Sequence, residues 1–90
     1  MEKQANREVG IYTYYDREAK AYDIPFHTFS DLNAVRKFKI DAENKGSVVS
    51  EFTAEFDLYK LGSFDMHTGE HTIKHELLIE GNKLQHLKEK

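Results

Sequence analysis

Three histidines, His67, His71 and His75, recur at intervals of four, with Asp65 and Glu70 among them. On one face of a helix that spacing would gather three imidazoles and a carboxylate into a zinc-type site. The intervening residues oppose a helix. Gly69 sits in the middle, and Thr68, Thr72 and Ile73 are β-branched. Thr68-Gly69 is a turn signal between two extended segments, so the stretch reads as a β-hairpin. On a strand His71 and His75 share a face but stand about 13 Å apart, at roughly 3.3 Å per residue. No metal and no cofactor are expected, and the histidines read as exposed residues beside a turn.

Other chemistry is as thinly supported. Asp16 with Glu18, or Asp65 with Glu70, can be cast as paired carboxylates, but acids in loops are usually solvated, and general acid-base work needs a cleft. The chain has no cysteine, no glycine-rich phosphate loop and no nucleophile elbow. Catalysis is not expected.

Aromatic and basic residues form a more suggestive constellation. Tyr12, Tyr14, Tyr15, Tyr22 and Phe26 lie close in sequence to Arg17, Lys20, Arg36, Lys37 and Lys39. Aromatic rings on a sheet with cationic neighbours can stack unpaired bases and hold the phosphate backbone. Tyr14 and Tyr22 are the rings expected to reach a ligand, with Arg17, Lys20, Arg36, Lys37 and Lys39 as candidate phosphate contacts. The other rings are expected in the core, packed on the helix, and the competing reading leaves Arg36, Lys37 and Lys39 as a solvated helix face.

The elements that would position these residues follow from periodicity. Val9 to Tyr15 is apolar or aromatic on both faces, as in a central strand. Ser30 is an N-cap, and Leu32, Val35 and Phe38 recur at helical spacing, which predicts a helix over 30–44 that ends at Asn44-Lys45-Gly46. Residues 47–55 read as a loop with one helical turn, residues 56–65 and 71–79 as strands, and 82–90 as a tail or helix turn. The expected fold is α+β: a mainly antiparallel three-stranded sheet with one helix packed on a face, in β-α-β-β order. The 90 residues make one domain, with 1–8 and 82–90 as flexible ends. A domain of this size buries a modest core, and a homodimer is expected.

The net charge is −3 and unevenly spread. Residues 1–40 hold seven Lys/Arg against six Asp/Glu, whereas 41–90 hold six against ten. A sequence-independent nucleic-acid binder draws affinity from a clearly basic surface, so binding here needs a local patch. Residues 1–10 have no apolar core like that of a signal peptide, and no run approaches the roughly 20 apolar residues of a membrane span. The expectation is a cytosolic protein without membrane contact.

Several segments together resemble the small nonstructural protein of gokushovirus-type microviruses, which are phages with circular single-stranded DNA. They are Tyr15-Asp16, Ala19-Lys20-Ala21-Tyr22, Pro25-Phe26, Ala34-Val35-Arg36-Lys37-Phe38, Phe56 to Asp65 (FDLYKLGSFD) and Thr68-Gly69. The resemblance covers about residues 11–70. It departs at Thr53-Ala54-Glu55, where the family often has a proline, and after Gly69. It implies a nonstructural protein made in the host bacterial cytoplasm and absent from the virion. Such a protein would bind single-stranded DNA during genome replication, or during the switch to single-strand synthesis and packaging. The alternative is an interaction module for a phage or host replication or assembly protein, without DNA contact.

Overall fold

The computed structural model describes residues 8–88. The first strand, β1 (Glu8–Asp16), is the centre of the sheet. One of its edges pairs along its whole length, antiparallel, with β4 (Phe56–Asp65). The other edge is shared by two short antiparallel strands, β2 (Ala21–Tyr22) and β3 (Phe26–Thr28). A tight hairpin joins β4 to β5 (His71–Glu80), giving the order β2-β1-β4-β5 with β3 beside β2. The helices are α1 (Asp31–Glu43), the single turn α2 (Val48–Glu51) and α3 (Gly81–Lys88), with a 3₁₀ turn at Thr53–Glu55.

The fold expectation is therefore corrected. The protein is mainly β, with five antiparallel strands and three helices rather than three strands and one helix. The two added strands have two and three residues, too short to show a periodicity. The flexible ends expected at 1–8 and 82–90 fall partly outside the described residues. Within them, Glu8 opens β1 and 82–88 belong to α3.

The helix α1 starts where its cap predicts: the Ser30 hydroxyl accepts from the Asn33 amide at 3.1 Å. Its inner face is Ala34, Phe38 and Ala42, all buried, with Val35 half-buried. Leu32, expected on that face, is 59% exposed. These side chains meet Tyr12, Tyr14, Phe56 and Leu58 on the sheet, and Val49 and Leu84 close the core from α2 and α3. The Tyr14 ring lies 5.0 Å from Phe38 and 5.5 Å from Phe26, centre to centre. Tight backbone approaches shape the rim. Leu61 is the extra residue of a bulge, opposite the step from Ile11 to Tyr12, and Gly62 follows it at φ +151°. A Cβ on Gly62 would overlap the Thr72 carbonyl, and one on Gly81 would overlap the Thr53 and Phe56 carbonyls.

Candidate functional site

The pleat of β1 sends alternate residues to opposite faces, so Tyr12 and Tyr14 point to α1 while Thr13 and Tyr15 point away. Tyr12 is 1% exposed and Tyr14 5%. Each ring buries its body and ends in a hydrogen bond: Tyr12 Oη donates to Asp31 Oδ1 at 2.6 Å, and Tyr14 Oη to Asp41 Oδ2 at 2.6 Å. Burial, and then the carboxylate it meets, raises the pKa of both hydroxyls well above the ordinary tyrosine value. The Tyr12 hydrogen bond, followed by Lys60 at 3.1 Å, lowers the Asp31 pKa. Tyr14 is thus a core residue and cannot stack a base.

The candidate cations are similarly divided. Lys37 Nζ is 2.7 Å from Asp41 Oδ2 and 4.8 Å from the Phe26 ring centre, so it seals the edge of the core. Arg17 Nε donates to Asp57 Oδ2 at 3.0 Å, and its Nη2 donates to the Ala54 carbonyl. The bond to Asp57 raises the Arg17 pKa, against the opposing effect of burial. Asp57 is buried, and its Oδ1 has no partner among the described residues. Lys20, in the turn after β1 with φ +57°, and Arg36 and Lys39 on α1 make no ion pair among the described residues. Arg36, Lys37 and Lys39 lie on the helix side of the sheet and Tyr22 on the opposite side, so the candidate set is not one surface.

That opposite side carries the feature the sequence reading missed. Tyr15, Tyr22, Tyr59 and His75 come from β1, β2, β4 and β5 and form one row that closes on itself, with the Tyr22 and His75 ring centres 5.6 Å apart. Ring centres are 4.6 Å apart for Tyr15 and Tyr22, 5.8 Å for Tyr22 and Tyr59, and 4.9 Å for Tyr59 and His75. The Tyr22 hydroxyl lies 3.2 Å from His75 Nε2. Tyr22 is 48% exposed, His75 is exposed, and Tyr15 and Tyr59 are half-buried. Burial, then Tyr22 and Asp57, raises the Tyr59 pKa. Leu77 and Ile73 extend the row along β5, at 43% and 88% exposure. The signal for this face is the pairing of a tyrosine on each of three strands, which needs the register that sequence alone does not supply.

The carboxylates once cast as pairs hold turns instead. Asp16 Oδ1 accepts from the Glu18 and Ala19 amides, and Asp65 Oδ1 from the His67 and Thr68 amides. A cleft of about 300 Å³ beside β2 is lined by Asp16, Asp23, Val48, Val49 and Phe56, among others, and presents no cation to an anion. His71 packs on Phe64 and His75 on Tyr59, so the histidines are spread along β5. Among the described residues no group of three metal-ligating side chains converges. Nor is any helix there long and apolar enough to cross a membrane.

No curated protein and no solved structure matches the chain significantly. The phage ORF5 protein family matches residues 9–84, which takes in β1 from its second residue, the other four strands, α1, α2 and the start of α3. By that match the chain belongs to the phage ORF5 protein family and is a bacteriophage protein.

Proposed function

We propose that this phage protein is a non-catalytic binding module that takes single-stranded DNA on the open face of its sheet. It would act as a nonstructural protein of the gokushovirus type, in the cytoplasm of the infected bacterium, during genome replication or the switch to single-strand synthesis. The observation that carries the reading is the group Tyr15, Tyr22, Tyr59 and His75 from four strands, of which Tyr22 and His75 are exposed. Unpaired bases stack on exposed aromatic rings of sheets whatever their sequence, each worth about 1–3 kcal/mol. Tyr14 and Lys37 have no part in this contact, and Arg17 is held by Asp57. Lys20, in the turn between β1 and β2, is the cation nearest in sequence to Tyr22.

Affinity would then come from stacking more than from charge. Each phosphate contact to a single strand contributes a slope of about −0.7 in the log of affinity against the log of salt. With one cation near the row, a slope no steeper than about −1 is expected. The test is fluorescence anisotropy with a labelled single-stranded oligonucleotide at low and moderate salt, with duplex as control. Binding that prefers the single strand and falls about tenfold in Tyr22→Ala supports the reading. Absence of binding at low salt overturns it.

One observation favours a second reading. Ile73 and Leu77 continue the row as exposed aliphatic surface. Aromatic and aliphatic surface of that kind suits a protein, such as a phage or host replication or assembly protein.

A further inference from the structure

The outer strand β5 pairs with β4 through one edge only; among the described residues its other edge is unpaired. It runs for ten residues, and His71 to Leu77 are all exposed. An unprotected edge of that length is a template for another strand. From 73 to 77 the side chains alternate in face, across an irregularity in which Lys74 and His75 stand opposite Leu61. Ile73 pairs with Gly62 and Leu77 with Tyr59, and His75 contacts Tyr59, so all three face the aromatic side. Glu76 pairs with Lys60, whose ammonium lies over the Tyr12 ring, so Glu76 and Lys74 face the helix side.

The run Ile73-Lys74-His75-Glu76-Leu77 has the same chemical character in both directions apart from its charges, and those are opposite: apolar, cation, histidine, anion, apolar. We propose that β5 pairs antiparallel with β5 of a second copy of this chain, with His75 on the two-fold axis. In that register Ile73 meets the partner's Leu77, and Lys74 meets the partner's Glu76. Symmetry repeats both pairs. Neighbouring registers fail on the same residues. An axis at Lys74 or Glu76 sets like charges face to face. An axis between residues would pair side chains that belong to opposite faces. Lys74 Nζ and Glu76 Oε1 already lie 3.7 Å apart within one chain, so the dimer joins four charges into one network.

A two-fold axis normal to the sheet keeps both aromatic rows on the same side. The two His75 residues meet, so the aromatic groups of the two copies adjoin across the axis. The dimer rests on the β5 edge and does not depend on the DNA reading, which it would extend to a ligand crossing both copies.

Sedimentation velocity and cysteine cross-linking of the full chain test it. The wild type is expected to sediment as a dimer. Lys74→Glu and Glu76→Lys each place like charges at both symmetric pairs and should yield monomers, while the double variant K74E/E76K restores the dimer. Both side chains are substantially exposed, and circular dichroism checks that each variant is folded. The chain has no cysteine, so His75→Cys should form a disulfide dimer under copper-phenanthroline oxidation. Thr72→Cys should not, because its symmetry mate lies roughly 20 Å away at about 3.3 Å per residue. A monomeric wild type at high protein concentration overturns the proposal. So does a dimer indifferent to the charge variants and uncross-linked at position 75. Loss of single-strand binding with the dimer intact would remove the DNA reading and leave the dimer standing.

Discussion

The hydroxyl of Tyr14 donates to Asp41 Oδ2 at 2.6 Å, which ties the middle of β1 to the C-terminal half of α1. Lys37 reaches the same oxygen at 2.7 Å, one helical turn before Asp41, and its ammonium covers Phe26. The ring, the carboxylate and the ammonium are thus held by one another rather than offered to a ligand.

Removing only the hydroxyl should therefore affect stability and leave binding alone. Tyr14→Phe is expected to lower unfolding free energy by about 1.5–3 kcal/mol, the range for losing a hydrogen bond to a charged group. Urea denaturation reads the loss. The affinity of the same variant for a single-stranded oligonucleotide should equal that of the wild type; a large drop would mean that the helix side takes part in binding.

The pH dependence has two arms. Tyr12 and Tyr14 have folded pKa values raised above their unfolded value, chiefly by burial and next by Asp31 and Asp41. Their contribution is full below about pH 10 and is lost as the pH rises further. Tyr14→Phe should flatten that alkaline decline. Asp31 has a lowered pKa, chiefly through the Tyr12 hydrogen bond, so its contribution is full above about pH 4 and lost as the pH falls below it. That acid arm should be small, because the Asp31 side chain is 51% exposed. Denaturant midpoints measured across pH, for the wild type and for Tyr14→Phe and Asp31→Asn, separate the two arms.

Cations on the helix side should matter little to single-strand binding. Arg36→Ala and Lys39→Ala each change affinity by less than about twofold, while Tyr22→Ala lowers it about tenfold. Anisotropy titrations of the three variants decide between the two faces. The reverse ranking would move the contact to α1.

A methyl group at position 62 has no room. Gly62→Ala is expected to cost about 1–3 kcal/mol, since its Cβ overlaps the Thr72 carbonyl and its φ of +151° disfavours an L side chain. Chemical denaturation measures this, and a neutral outcome would mean that the β4–β5 hairpin relaxes around the bulge.

Much of this architecture is legible in the sequence where a local signal exists. The Ser30 cap and the run to Phe38 mark α1 within a residue at each end, and Thr68-Gly69 locates the β4–β5 turn. The turn of helix expected within 47–55 is α2, at Val48–Glu51. The two short strands escape because two or three residues carry no period, and they pair only once β1 is in place. The candidate site was harder to read for a different reason. Tyr12, Tyr14 and Tyr15 make both faces of β1 aromatic, so composition does not say which face receives α1. That choice decides that Tyr15 belongs to the open side and Tyr14 does not. Tyr59 joins the row only through pairing between β1 and β4, which are far apart in the chain.

The same two-sidedness gives the phenolic tips of Tyr12 and Tyr14 an error-checking role during folding. Had β1 slipped by one position against α1, Tyr15 would still offer a ring to the core, and hydrophobicity would penalise the mistake only weakly. The slipped strand would also turn Thr13 toward the helix and carry both hydroxyls away from Asp31 and Asp41, at opposite ends of α1. Asp31 and Asp41 would keep Lys60 and Lys37 but lose their tyrosine donors, and Thr13 would stand where a buried ring belongs, which marks an error that greasy packing overlooks.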